Sequence, residues 1–465
     1  MTVVRKLPTS GSVDLLGLHR INPLRYPALL DSATQRKHSH KLNDAARQNS
    51  RYSLGLCFPQ STISLSASNQ LSVDGAPCEG GFLEQLESSW TAVASRVPEA
   101  QITPVKDLPF SGGWFLYLGY ELVAEVEPRV AVHPSKIAIA QAVRIPSAVI
   151  IDHQEKSAWW VDDNLDGGGE DRYMAMLNDL EAAAPPSSIS VGSESVVEEP
   201  GGIYLAAIDE VKQYIVDGDI FQANLSRGWE LECDASAADI FSALAEHNPA
   251  PFAALAVVGD ATIISSSPER LVESRGQHVV TRPIAGTHPR AAIAADDNAL
   301  ATRLLAHPKE RAEHIMLIDL ERNDLGRICE PGTVTVDDLM TVESYAWVHH
   351  IVSGVSGTLR HNVRPTDVIR AVFPGGTITG CPKVRCMEII HQLEPGARGA
   401  YTGSLGYLNH DGSMDLNILI RTLVKQGNQL GFRAGGGIVA ESDPERELDE
   451  TRAKARGVLK AFGHA

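Results

Sequence analysis

Cysteine, long apolar runs and positive charge are the three things this 465-residue chain has little of. Its six cysteines, Cys57, Cys78, Cys233, Cys329, Cys381 and Cys386, form no CxxC and no regular spacing. Neither a zinc site nor a disulfide framework is indicated, and free thiols fit a reducing cytoplasm. No run reaches the roughly 18 apolar residues that a membrane helix needs, and the N-terminal MTVVRKLPTSGSVDLL has no sustained apolar core of a secretory leader. These absences predict a soluble, cytoplasmic protein without a membrane partner. Lys and Arg number 41 against 58 Asp and Glu, a net charge of -17. Nucleic acid is excluded as a partner, because phosphate neutralisation needs clustered cations. An anionic ligand must then meet a local positive site or a metal.

What is present suffices for a large core or two, with 43% hydrophobic residues. One composition shift stands out, the Pro-, Ser-, Gly- and Glu-rich stretch 184–202, which reads as a surface linker between an N-terminal part, 1–183, and a C-terminal part, 203–465. Before it, Ser147–Asp152 and Ala158–Asp162 read as strands and the triple glycine 167–169 as a loop. After it, Tyr204, Leu205, Ile208, Val211, Tyr214 and Ile215 recur at helical spacing, with Gly218 placed as a C-terminal cap. Strand signals at 254–258, 262–266, 279–282 and 416–424 mix with helices without a βαβ rhythm, and there is no internal repeat. The expected class is α+β, not a doubly wound sheet.

The segment FPGGTITGCPKVR, 373–385, carries the densest chemistry. Its Pro-Gly-Gly opening exposes backbone amides, Thr377 and Thr379 add hydroxyls, and Lys383 and Arg385 add charge, a combination suited to an anionic small molecule. It is not a nucleotide P-loop, because Cys381, Pro382, Lys383 and Val384 stand where Gly, Lys and Ser or Thr must follow one another. A plain structural turn is the competing reading.

Among acidic residues, Glu310 and Glu313 share a helix face, and Glu450, with Lys454 one turn later, lies on a second helix. Three carboxylates on two rigid elements suit Mg2+, and equally suit solvated helix surfaces. Glu269, after the apolar run 261–264, falls at a strand end beside Arg270, and His350 lies in the apolar WVHHIVS. Arg421 offers a planar fork for a carboxylate, Tyr401 a phenol, and Gly435, Gly436 and Gly437 a strand without side chains against which an anion can lie. Each also has an ordinary structural use: an ion pair, a core histidine, a core-edge arginine, a packed tyrosine, a glycine bulge.

Six segments, in order and spacing, break the tie: SSSPER (265–270), TRPIAGTHPR (281–290), ERAEHIMLIDLERNDLGR (310–327), 373–385, RAGGGIVAESD (433–443) and LDETRAKA (448–455). Together they resemble the chorismate-utilising enzymes, in particular the large subunits of anthranilate synthase and aminodeoxychorismate synthase. The resemblance spans Tyr204 to the C-terminus; before it only ALLDS (28–32), similar to the tryptophan-binding region of anthranilate synthases, and LPFSGGWFLYLGYEL (108–122) match loosely. It implies that family's fold, stacked antiparallel-rich sheets flanked by helices. It implies Glu313 and Glu450 as Mg2+ ligands with Glu310 close by, Glu269 as the acid that protonates the departing 4-hydroxyl, His350 and Lys454 in the catalytic set, and Gln222, Thr377, Tyr401, Arg421 and Gly435 to Gly437 as substrate contacts.

Within the family, Gln222 in FQANLSRG stands where members that add water resemble one another in having lysine, so ammonia addition is expected. Gly376, Ile378 and the Asn224-Leu225 pair resemble the aminodeoxychorismate branch. Ala285 in PIAGT resembles the anthranilate branch, because aminodeoxychorismate synthases often carry a nucleophilic lysine there. The expected product is 4-amino-4-deoxychorismate, with anthranilate as the alternative and a non-catalytic anion-binding regulator as a weaker one. No Cys sits in a GxCxGxQ-like turn, so a separate glutamine amidotransferase subunit is expected to supply ammonia.

Overall fold

A computed structural model describes residues 2–8, 13–32, 41–97, 108–183, 192, 195–290, 308–345 and 348–464, without the side chains of 287–289 and 308–310. Two twelve-stranded sheets form its centre, and among the described residues every strand pairing is antiparallel. The first sheet runs Val3–Lys6, Ser157–Asp162, Ser147–Asp152, Tyr52–Cys57, Ala28–Asp31, Phe252–Val258, Ala261–Ser267, Thr422–Gln426, Gln429–Ile438, Gln222–Glu232 and Val196–Glu198, with Gly380–Cys381 paired to Gln222–Glu232. The second runs Ile284–Pro289, Val348–Thr358, His278–Thr281, Arg270–Arg275, Met414–Asn417, Ser404–Asn409, Gly113–Leu118, Ala140–Ile145, Thr62–Leu65, Leu71–Val73 and Ala76–Pro77, with Thr335–Ser344 on the far side of Val348–Thr358.

Alternation along single strands shows how the layers stack. In Gly113–Leu118, Phe115 and Tyr117 join a core with Leu54, Ile150, Ala254 and Ile263 of the first sheet. Trp114, Leu116 and Leu118 point the other way, into a core with Leu83, Leu86, Val368, Ile369 and Met387 from helices. In Phe252–Val258, Ala254, Ala256 and Val258 meet the inter-sheet core, while Ala253 and Leu255 meet Leu16, Phe241 and Leu244 on the outer helices. The order is therefore helices, sheet, sheet, helices. Central strands buried on both faces read as continuous apolar runs, as in GWFLYL and FAALAVV.

The strands of 1–183 and of 203–465 interleave within both sheets. Ala28–Asp31 pairs with Phe252–Val258, and Gly113–Leu118 with Ser404–Asn409. The sequence boundary at 184–202 thus does not separate two sheets. Residues 184–191, 193 and 194 of the expected linker lie outside the described residues, and its last part is built structure: Val196–Glu198 is a strand and Gly201 opens the helix to Val216. Gly218, at φ 81°, follows that helix in the left-handed conformation expected of a cap. Gly169 corrects the expected triple-glycine loop, being the first residue of the Gly169–Ala182 helix. The single strand expected over 416–424 is two, Met414–Asn417 and Thr422–Gln426, one in each sheet. A strand signal cannot show a change of sheet, because both halves are equally buried.

The seam between Ser404–Asn409 and Met414–Asn417 leaves no room at Gly406, where a Cβ would stand 1.9 Å from the Asp415 carbonyl oxygen. Gly406→Ala is expected to lower the urea midpoint by the equivalent of about 3 kcal/mol, the scale of an unrelieved backbone clash. A midpoint equal to that of the parent would show that the two strands part easily.

Candidate functional site

Two neighbouring strands change sheets at the same place. One leaves the first sheet at Ser267 and enters the second at Arg270, through Pro268 and Glu269. The other leaves the second sheet at Asn417 and enters the first at Thr422, through Ile418 to Arg421. The crossings are bonded together: the Ile418 N–H donates to the Glu269 carbonyl at 3.0 Å, and the Ser266 N–H to the Arg421 carbonyl at 3.2 Å. The Ser267 hydroxyl donates to the Ile418 carbonyl. Arg421 takes φ 52°, uncommon for a side chain with a Cβ, which turns its guanidinium back beside Glu269.

Glu269 is 5% exposed. Burial pushes its carboxyl up to about 7, although the Thr377 hydroxyl, the Ile284 N–H and the Arg421 charge all favour the anion. The Ile284 N–H approaches its Oε1 at 3.4 Å. Arg270 is not its partner: that guanidinium holds Asp415 at 2.9 and 3.0 Å and Glu273 at 2.8 Å. Arg421 also donates to the Asn248 Oδ1 at 3.3 Å, and Asn248 is itself held through its carbonyl by the Ser266 hydroxyl. His350 lies opposite Thr287 in register. Its imidazole bonds the backbone of Gly286 and is held neutral, down to about 3, by burial first and then by the Arg421 charge. Ala285 sits beside it in the strand, 5% exposed and opposite Ile351, just before the bulge at Gly286. The crossings thus bring together Glu269, Arg421, His350 and Thr377.

A second group gathers along the glycine strand. Gly435, Gly436 and Gly437 pair with Ser226, Leu225 and Asn224, and each missing Cβ has a specific use. A Cβ at Gly437 would lie 2.1 Å from the Gln222 Nε2, and one at Gly435 2.7 Å from the Tyr401 hydroxyl. At Gly436 the space faces Glu447, Lys454 and Glu450, with nearest atoms at 3.5, 3.6 and 3.9 Å. Lys454 bonds Glu450 at 2.8 Å and the Gly435 carbonyl at 2.8 Å. Gln222 donates to the Glu313 Oε1 at 3.4 Å, while its own Oε1 is buried without a partner. Glu313 and Glu450 thus both adjoin the glycine strand, Glu313 through Gln222 beside Gly437 and Glu450 next to Gly436. Among the described residues no three carboxylates, histidines or cysteines form a ready metal cluster, and the side chain of Glu310 lies outside the described residues. The donor chemistry still suits a hard cation, which takes a few carboxylates and fills its remaining positions with water and substrate oxygens.

The 373–385 segment joins the two groups. Gly375 packs against Ile418 of the crossings, and Gly380–Cys381 pairs with Gln222 and Ala223. The anion cradle expected of its charges is corrected here. Lys383 is bonded to Asp324, Arg385 to Asp219 at 2.7 Å and Glu388 at 3.0 Å, and the Thr379 hydroxyl to the Gly375 carbonyl at 2.9 Å. Only Thr377, with a buried hydroxyl, is left facing the site. Sequence reading passed over the support beneath Tyr401. There Glu394 is fully enclosed by Arg398 at 2.6 and 3.0 Å, Arg433 at 3.3 Å and Ser226 at 2.8 and 2.9 Å. Arg398 lies over the Tyr401 ring at 5.6 Å. The only signal for this network was an i,i+4 Glu-Arg pair in EPGAR, which looks like any surface pair.

Because the folded Glu269 holds its proton to about 7 while an unfolded one releases it near 4.3, its contribution to stability is complete below the unfolded value and is lost as pH rises through the folded one. Glu269→Gln is therefore expected to be more stable than the parent at alkaline pH, by about 3–4 kcal/mol, with the advantage vanishing in acid. Equal melting differences at both pH extremes would show that the carboxyl is not destabilised where it lies.

Comparison with known proteins places this geometry. The pattern of the chorismate binding enzymes matches residues 45–460. An anthranilate synthase component I-like protein of Synechocystis sp. is 41% identical over 362 residues, 76% of this chain and 73% of that protein. Aminodeoxychorismate synthase component 1 of Bacillus subtilis is 38% identical over 364 residues, 76% of this chain and 77% of that one. The crystal structure of anthranilate synthase component I from Streptococcus pneumoniae superposes with a TM-score of 0.77 at 30% identity, over 88% of this chain and 92% of that one. The Escherichia coli menaquinone-specific isochorismate synthase MenF, at 17% identity, shares the fold, with a TM-score of 0.73 over 99% and 94%. With its fold and nearly its whole length matched, the chain belongs to the chorismate-utilising enzymes.

Proposed function

We propose that the protein replaces the 4-hydroxyl of chorismate with an amino group, giving 4-amino-4-deoxychorismate on the route to p-aminobenzoate and folate. A glutamine amidotransferase subunit delivers the ammonia. The observation that carries amination is Gln222, whose amide lies against Gly437 of the glycine strand and donates to Glu313. An amide nitrogen has no basic lone pair with which to activate water, which weighs against hydration. Ammonia is a nucleophile without such help. The names of the two relatives, an anthranilate synthase-like protein and an aminodeoxychorismate synthase, both fit this chemistry.

In this reading Glu269 is the general acid. Burial keeps it protonated near neutrality, and as its proton passes to the departing hydroxyl, which leaves as water, the Arg421 charge steadies the anion that remains. Arg421 and Tyr401 bind the enolpyruvyl carboxylate, and Thr377 orients the ring beside Glu269. His350 is neutral, and its bond to Gly286 fixes which face of the imidazole meets the substrate. Glu313 and Glu450 would hold Mg2+, with Lys454 beside them; the ion would neutralise the ring carboxylate in an otherwise acidic corner. Ala285 offers a methyl group and no nucleophile, so no covalent enzyme adduct forms there. Ala285 is also the site residue that favours anthranilate as the product.

Given chorismate, Mg2+ and excess ammonium salt, the purified chain is expected to form a non-fluorescent adduct that becomes p-aminobenzoate once aminodeoxychorismate lyase is added. Fluorescent anthranilate would assign it to the other branch. Glutamine should support turnover only with an amidotransferase subunit present.

Chelation of the metal, Glu313→Ala and Glu450→Ala should each abolish turnover without unfolding the chain. Glu269→Gln should bind chorismate, by calorimetry, and lose about 10²–10⁴-fold in kcat. Near-normal activity in either glutamate-to-alanine variant at limiting Mg2+ would remove that residue from the metal site.

A further inference from the structure

Thr402, the residue after Tyr401, takes φ 63°. A side chain branched at Cβ is an outlier in that left-handed region, so its surroundings must hold it there. Its N–H donates to the Leu419 carbonyl of the crossings at 2.7 Å, and the Leu419 N–H donates to the Gly403 carbonyl at 2.8 Å. Its buried hydroxyl donates to the Tyr401 carbonyl and accepts from the Arg398 Nη1 at 3.3 Å.

Arg398 engages all five of its guanidinium N–H groups. Two go to Glu394, at 2.6 and 3.0 Å, and one to the Thr402 hydroxyl. The other two reach the backbone carbonyls of Ile378 at 3.1 Å and Asn224 at 2.7 Å. Three of these partners adjoin residues of the candidate site: Ile378 follows Thr377, Thr402 follows Tyr401, and Asn224 is two residues beyond Gln222. The guanidinium also lies over the Tyr401 ring at 5.6 Å, and the hydroxyl of that ring lies 2.7 Å from where a Gly435 Cβ would be. Behind the turn, the Glu121 carboxyl accepts from the Arg398 and Gly399 N–H groups at 2.8 and 3.1 Å. Stability alone does not ask for so specific a set, because a buried ion pair is commonly replaceable by apolar side chains of similar volume.

We infer that Arg398 is a positioning residue for the substrate: acting through Thr402, it aims the Tyr401 phenol along the glycine strand at the enolpyruvyl carboxylate, and its two backbone bonds keep Thr377 and Gln222 in register with that phenol. The inference rests on Tyr401 being a substrate contact. Arg398 itself touches no substrate. A planar fork with five fixed donors ties three chain segments to one plane, which the single ammonium of a lysine cannot do.

The test is KM for chorismate at saturating ammonium and Mg2+. Thr402→Gly removes the hydroxyl bridge at a backbone angle that glycine adopts freely, so the variant is expected to fold. Its KM should rise about tenfold, the scale of a lost hydrogen bond to a charged group, with kcat little changed, because the bond is made to ground state and transition state alike. Thr402→Ser keeps the hydroxyl and should keep the parent KM, and Arg398→Lys should raise KM as Thr402→Gly does. In a Tyr401→Phe background, with no phenol left to aim, Thr402→Gly should raise KM no further. A parental KM in Thr402→Gly, the same rise with and without the phenol, or a loss confined to kcat overturns the inference. Should Arg398→Lys not fold, the Thr402 series decides alone. The two readings fail separately. A parental KM in Tyr401→Phe removes Tyr401 from the substrate contacts and the inference with it, whereas a raised KM in Tyr401→Phe beside a parental one in Thr402→Gly removes only the positioning.

Discussion

Everything in the candidate site depends on the bonding between two strands as they change sheets. The Ile418 N–H on the Glu269 carbonyl and the Ser266 N–H on the Arg421 carbonyl tie the corners together. Four other strands of the two sheets adjoin those corners, so neither crossing can shift without disturbing both layers. A carboxyl and a guanidinium are thereby fixed side by side on backbone that has no freedom of its own. Backbone placement of this kind is the economical way to hold a catalytic constellation, because the supporting hydrogen bonds are part of the sheet ladder.

The candidate site has two electrical characters. At the crossings the side chains are dry: Glu269 is pushed up, and His350 and Arg421 down, by burial as the leading cause. Along the glycine strand the charges are wetter, with Glu450 and Lys454 about half exposed and paired. Proton chemistry suits the first region, where the charged forms are costly, and anion binding the second, where charge is tolerated. The Phe373–Arg385 segment separates them and packs against both.

Much of the site was legible in the sequence, and the reasons differ by residue. Glu269 at a strand end, Glu313 and Glu450 on helices, and the three glycines all stand as read, because short motifs fix their own local geometry. Lys383 and Arg385 were legible as charges but not as partners of Asp324 and Asp219, since those contacts are formed between distant segments. Thr402 carried no signal at all: in sequence it is one more small polar residue, and only the turn between Arg398 and Leu419 gives it φ 63° and a buried hydroxyl. The two-part division of the chain was read from a genuine change of composition, yet strand pairing runs across it, because hydrogen bonding between strands leaves no mark in composition.

That interleaving governs how the molecule must be assembled. While the chain is being made, the edge at Ala28–Asp31 waits for Phe252–Val258, and the edge at Gly113–Leu118 for Ser404–Asn409. Both are apolar strands with unpaired backbone, the kind of surface that joins to strangers. The last strand they need is among the last to be synthesised, so neither sheet can close before nearly all of the chain exists. The nascent chain therefore carries open sheet edges through most of its synthesis, and its two halves, expressed separately, would each present an open sheet to solvent.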